Sequence, residues 1–162
     1  MKTVSLSQAL KQKNRLAGDV SRLREIVQRE NSRKESQPAR ANVRTAFDES
    51  VVRSRELAAF KGAIASANAG VLSNDRGIYT KLNLQAELRG LIAFIKGLNT
   101  KEGEEVERVG FMSRDDAVRT VYIATITRDE VDRLVVAYQV EIERLQDEID
   151  EFNATTRIPL TA

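Results

Sequence analysis

Apolar residues near the C-terminal end of the chain recur at alternating intervals of four and three residues. They are Val131, Val135, Tyr138, Ile142, Leu145, Ile149 and Phe152. Such a heptad repeat is typical of a helix that packs along its length against a partner helix. Just before the repeat, Thr127 and Glu130 have the spacing of a capping box, which marks a helix start. The sequence therefore predicts a long helix over 128–152 whose apolar seam is an interaction surface.

The rest of the chain contains three more predicted helices. A first helix is predicted over 6–34, where apolar residues again alternate at intervals of three and four and Ser5 begins a second capping box. Pro38 disfavours helical geometry in the residue before it, so this helix ends ahead of it. Similar spacings predict helices over 43–68 and 79–98. The short linker after the first helix favours an antiparallel helical hairpin.

The segment between the third and last helices has β-strand character. Residues 118–126 are rich in β-branched side chains and predict a strand, and 106–112 is a weaker strand candidate. Residues 101–105 are mostly charged and predict a solvated loop. The predicted fold is mainly α, an elongated antiparallel helical bundle or coiled coil of about four helices. It forms a single domain over 1–162, with a small β-hairpin over about 106–126 before the last helix.

A hairpin of this size leaves backbone N–H and C=O groups unpaired along its edges. A helix, a loop or another chain must cover those edges, and strand addition from a neighbouring molecule is a common solution. We therefore expect the second strand to contact another subunit or a partner protein. Val121 and Ile123 are the residues that we predict to lie in this contact.

Charge is distributed unevenly along the chain, although the net charge is only +2. Residues 1–44 contain eleven Lys or Arg and four Asp or Glu, whereas residues 128–152 contain three Arg and nine Asp or Glu. The favoured interpretation is that the acidic last helix faces the basic first helix within one molecule. The alternative is that the basic first helix binds nucleic acid.

The chain has no cysteine and no histidine, which limits the chemistry open to it. Disulfides, thiolate nucleophiles, cysteine-ligated zinc and histidine bases are all excluded. Acidic residues that could be considered for a cation site are Glu102, Glu104, Glu105, Glu107, Asp115 and Asp116. The ligand spacing of a calcium-binding loop is missing, so we interpret these residues as solvated charge. We expect no catalytic residues, no bound metal and no cofactor, and hence no enzyme.

The N-terminal residues do not read as a signal peptide, because polar residues interrupt every short apolar stretch. No apolar run approaches the length of a membrane-spanning helix. We therefore expect a cytoplasmic protein, or one assembled into a phage particle that is made in the cytoplasm.

Several segments together resemble small bacterial and phage-borne helical proteins labelled septicolysin-like. The similar segments are the opening residues 6–11, the end of the second helix at 63–68, the strand leading into the last helix, and the ending 147–156. The resemblance covers nearly the whole chain and implies a coiled-coil α-helical fold. The family label also suggests a cytolysin, although no membrane-inserting segment is apparent in the sequence.

The leading hypothesis is a non-catalytic structural or assembly protein that acts through helix packing and self-association. It would be a homo-oligomer or a subunit of a larger assembly, such as a phage particle. Nucleic-acid binding through the first helix and a membrane-active, cytolysin-like role are the alternatives, and neither nucleic acid nor membrane is the expected partner.

Overall fold

The computed structural model describes residues 4–69, 76–108 and 117–156. This part of the chain is mainly α-helical, with four helices and a small antiparallel sheet. In chain order the elements are α1 (Leu6–Glu30), β1 (Ser32–Lys34), α2 (Val43–Asn68), α3 (Arg76–Lys96), β2 (Gly103–Arg108), β3 (Ala117–Ala124) and α4 (Arg128–Thr155). The mainly α fold class with a small sheet is therefore confirmed.

The predicted helices are present, with some differences in their ends. α2 has the predicted bounds, α3 begins and ends slightly earlier than predicted, and α4 continues three residues further, to Thr155. The capping box at the start of α1 forms in both directions, since Ser5 accepts from the backbone of Gln8 and the Gln8 side chain accepts from the backbone of Ser5. These local signals act within a few residues of each other, which is why the sequence reveals them.

The prediction that the first helix continues to residue 34 is wrong. α1 ends at Glu30, and the next residue, Asn31, is only 1% exposed. The Asn31 amide donates to the backbone oxygens of Asn99 and Ile126, each at 2.9 Å, and its oxygen accepts from the N–H of Ile126. These tertiary hydrogen bonds fix the chain in the direction of β1, so the residues after Asn31 join a sheet.

The predicted hairpin is part of a three-stranded antiparallel sheet with the order β1-β3-β2. Ser32 pairs with Ala124 on one side of β3, and Gly103 pairs with Tyr122 on the other. Residues 103–105, which we predicted to be a loop, belong to β2 because they pair with β3. Residues 109–112 of the weaker strand candidate and the following residues 113–116 lie outside the described residues. β3 is the central strand and pairs with a strand on each side. The expectation that it contacts a partner through an unpaired edge is therefore corrected.

Successive helices pack antiparallel to one another. Arg24 of α1 donates to Ser54 of α2, and Lys61 of α2 pairs with Glu87 of α3. α3 and α4 are linked by the Gln85 side chain, which donates to the backbone oxygen of Ile142. The predicted hairpin of the first two helices is thus present in the structure.

A continuous hydrophobic core includes residues from all four helices. It is formed by Leu23, Val27, Val43, Ala46, Phe47, Leu88, Leu91, Ile95, Leu98, Ile126, Val131, Tyr138, Ile142 and Leu145. These positions lie toward the end of each helix that is nearer the sheet. The core therefore lies at the end of the helices that is next to the sheet.

Candidate interaction surfaces

The apolar seam of α4 is used within the chain. Its buried members are Val131, Tyr138, Ile142, Leu145 and Ile149, and its partly buried members are Val135 and Phe152. α4 packs chiefly on α3, and most of the seam joins the common core. The predicted interaction seam is therefore a contact between helices of one molecule.

The acidic side chains beside this seam pair with cations of α2. Arg44 donates to both carboxylate oxygens of Glu130, at 2.5 and 2.7 Å, and Arg55 donates to both oxygens of Glu141 at 2.7 Å. Two-point contacts of this kind fix the relative orientation of the charged groups as well as attracting them. These hydrogen bonds from arginine lower the pKa of each glutamate, and partial burial opposes the shift only in part.

A third contact joins α4 to α3, where Lys81 lies 2.7 Å from Glu148. Within the described residues, no ion pair connects α4 with α1. The expectation that the basic first helix faces the acidic last helix within one molecule is therefore wrong. α2 and α3 supply the cations, because those are the helices that the apolar seam of α4 approaches.

One face of the small sheet exposes apolar side chains. Directly paired residues of an antiparallel ladder place their side chains on the same face, and side chains alternate between faces along a strand. Val106 pairs with Arg119, and Glu104 pairs with Val121. These four residues, Ile123 and its direct partner Arg33 therefore lie on one face, which we call the Val121 face. Val106 is 52% exposed and Val121 is 38% exposed.

The opposite face of the sheet is more polar. Tyr122 lies there, with the Lys101 ammonium 4.0 Å from the centre of its ring. Val118 also lies on this face and is 52% exposed. No side chain of the three strands is buried, among those that the structure describes. Helices of the same molecule thus leave both faces of the sheet accessible.

A groove of about 480 Å³ between α1, α2 and α3 contains a partly buried arginine. Arg24 donates to Ser54 at 3.0 Å, and its guanidinium lies 5.3 Å from the centre of the Phe94 ring. Burial lowers the pKa of Arg24, and the charge of Glu87 opposes this effect. The groove also contains Glu25, so its charges are mixed. Arg24 has a packing role that its place in a basic helix did not reveal.

Two of the acidic residues considered for a cation site pair with cations, and two others lie outside the described ranges. Glu104 lies 3.5 Å from Arg119, and Glu105 lies 2.5 Å from Lys101. Asp115 and Asp116 fall between residues 108 and 117, where the structure gives no description. In the residues it does describe, no three acidic side chains are grouped as metal ligands would be.

Among the described residues, no helix is both long and apolar enough to cross a bilayer. No protein-family model, curated protein or solved structure matches the chain. The resemblance to septicolysin-like proteins consequently stays a prediction.

Proposed function

We propose that this chain is a non-catalytic structural protein that associates with copies of itself. It acts as a subunit of a larger assembly formed in the cytoplasm, and a phage particle is one such assembly. A septicolysin-like relationship is compatible with this role, since such proteins are small and helical.

The observation that carries the proposal is the uncovered sheet. A sheet of two or three short strands is marginal in water unless one face packs against other apolar groups. Here the described side chains of all three strands are partly or fully exposed, and valines are among the most exposed. A second protein surface on the sheet would remove this apolar area from water.

The chemistry of the Val121 face favours a second copy as the partner. Among its described side chains, the face carries two cations, Arg33 and Arg119, and one anion, Glu104, beside Val106, Val121 and Ile123. An interface around a twofold axis brings the same patch together from both molecules, so it requires a self-complementary patch. Two such faces related by a twofold axis can place Arg119 of each copy near Glu104 of the other.

The mass of the purified protein across a range of concentrations tests the proposal. Sedimentation velocity should detect dimers or larger species. A Val121→Glu variant should weaken this association about tenfold, because it buries a carboxylate in an apolar contact. Val118→Glu is the matched control, because it makes the same change in the same strand on the opposite face.

The two variants should have the same helical circular dichroism as the natural protein, since both substitutions are at exposed positions. A protein that remains a monomer at every concentration would contradict the proposed function. Equal effects of the two substitutions would contradict the assignment of the contact to the Val121 face.

A further inference from the structure

The solvent-facing side of α1 carries a row of cations. Lys11, Arg15, Arg22 and Arg29 are exposed and follow one another at intervals of four, seven and seven residues. At 3.6 residues per turn they fall within an arc of about 40°, on the side opposite the buried Val27, and span about 27 Å. We call these four residues the basic stripe.

The solvent-facing side of α4 has the opposite charge. Val136, Val140, Glu143, Asp147 and Glu151 are exposed and follow one another at intervals of four, three, four and four residues. They lie opposite the buried seam and span about 22 Å. Val136 and Val140 are 64% and 59% exposed, which is unusual for valines on a helix whose other face is buried. We call these five residues the acidic stripe.

Within the described part of the molecule, ion pairs with other helices neutralise neither stripe. Within the described ranges, Lys11, Arg15 and Arg22 form no ion pair, and Arg29 contacts only its neighbour Glu30. Glu143, Asp147 and Glu151 likewise have no cationic partner there. The carboxylates of α4 that do pair with α2 or α3, such as Glu141, lie nearer the buried side of the helix.

We propose that the basic stripe of one molecule binds the acidic stripe of a second copy of this chain. The two stripes have opposite charge and the spacing of packed helices. The three carboxylates span about 12 Å of the acidic stripe, and the exposed valines add apolar area to the rest of the contact. The inference rests on the proposed self-association and identifies a second surface for it. The basic part of the sequence in one molecule thus complements the acidic part in another.

This contact uses two different helices, so one molecule can engage two neighbours. α1 packs on α2 and α4 packs on α3, and every residue of the two stripes is exposed. A contact between unlike surfaces is head-to-tail, and repeating it gives a ring or a filament. The assembly should therefore grow beyond a dimer, and the growth should weaken as salt screens the stripes.

Two complementary charge reversals test the proposal. The first variant combines Lys11→Glu, Arg15→Glu and Arg22→Glu, and the second combines Glu143→Lys, Asp147→Lys and Glu151→Lys. Each variant alone presents like charges to its own copies, so its dissociation constant should rise at least about tenfold. An equimolar mixture restores opposite charges at both contacts. The mixture should therefore recover the assembly size of the natural protein.

A control for the first variant makes the same change in net charge at exposed positions outside both stripes, by Arg40→Glu, Arg89→Glu and Lys96→Glu. Its association should match that of the natural protein. Thermal unfolding of every variant, followed by circular dichroism, should give a cooperative transition, since all the changes are on the surface.

Recovery in the mixture, together with the control result, supports the stripe contact. If the natural protein associates but the reversal variants associate equally well, the stripe contact is wrong and the proposed function stands. If the natural protein is always a monomer, both the stripe contact and the proposed function are wrong. Salt-sensitive binding of double-stranded DNA that is lost only in the α1 variant, without any loss of self-association, would assign the basic stripe to nucleic acid instead.

Discussion

The side chain of Asn31 and the backbone of Ile126 exchange two hydrogen bonds in the interior of the protein. The Asn31 amide donates to the Ile126 oxygen at 2.9 Å, and the Ile126 N–H donates to the Asn31 oxygen at 2.8 Å. The backbone oxygen of Asn31 also accepts from Thr125. One side chain thus joins the end of α1 to the segment that leads into α4.

Replacing Asn31 by alanine should lower the free energy of unfolding by about 3 kcal/mol, because it leaves the backbone N–H and oxygen of Ile126 buried without partners. Chemical denaturation provides the measurement. Asn14→Ala is the control, since Asn14 is exposed in the same helix and alanine is the better helix former. A loss at Asn31 no larger than at Asn14 would contradict this role.

Truncation of the α4 seam should be costly. Leu145 is 2% exposed, so Leu145→Ala should reduce stability by about 2–5 kcal/mol, and Ile142→Ala should have a similar effect. Val140→Ala on the solvent side of the same helix should change stability by less than about 0.5 kcal/mol. Urea unfolding curves would measure all three. Similar losses at Leu145 and Val140 would mean that the seam is not the packed face.

Gly62 permits the close approach of α2 to α3. A Cβ atom at this position would lie 2.6 Å from the Cα atom of Thr80, where the backbone must move to admit it. Gly62→Ala should therefore destabilise the protein by about 1–3 kcal/mol. Gly90→Ala, in a helix and with nothing near its Cβ position, should instead stabilise it by up to about 1 kcal/mol. Thermal melts of both variants would show opposite shifts.

The two arginine contacts of α4 should make the free energy of unfolding depend on pH in the acidic range. The pKa values of Glu130 and Glu141 are lowered by hydrogen bonds from Arg44 and Arg55. The folded carboxylates thus take up protons less readily than the unfolded ones. The stability that these contacts contribute is fully present above the unfolded-state pKa of about 4.3. It is lost as the pH falls through the lower pKa values of the folded state.

Denaturation at a series of pH values would measure this dependence. A Glu130→Gln, Glu141→Gln variant should be less stable at neutral pH and should lose less stability on acidification than the natural protein. If the stability of the double variant depends on pH in the same way as that of the natural protein, these two contacts are not the source of the pH dependence.

The sequence by itself determined where α1, α2 and α4 begin and which side α4 buries. Ser5 and Gln8 cap α1 as predicted, and the heptad positions of α4 are the ones that the structure buries. Both features depend on residues at most one or two helical turns apart. Backbone geometry alone brings such residues together, so their spacing in the sequence is sufficient to predict them.

Only the tertiary structure decided which groups meet across the molecule. Thr127 caps α4 as predicted, but the Glu130 carboxylate binds Arg44 of α2, so only half of that capping box forms. α1 ends at Glu30 because Asn31 binds backbone groups distant in sequence, and β1 forms only by pairing with β3. Helix packing decided which cations pair with the carboxylates of α4. Charge alone could not decide this, because a carboxylate can pair with any of many cations.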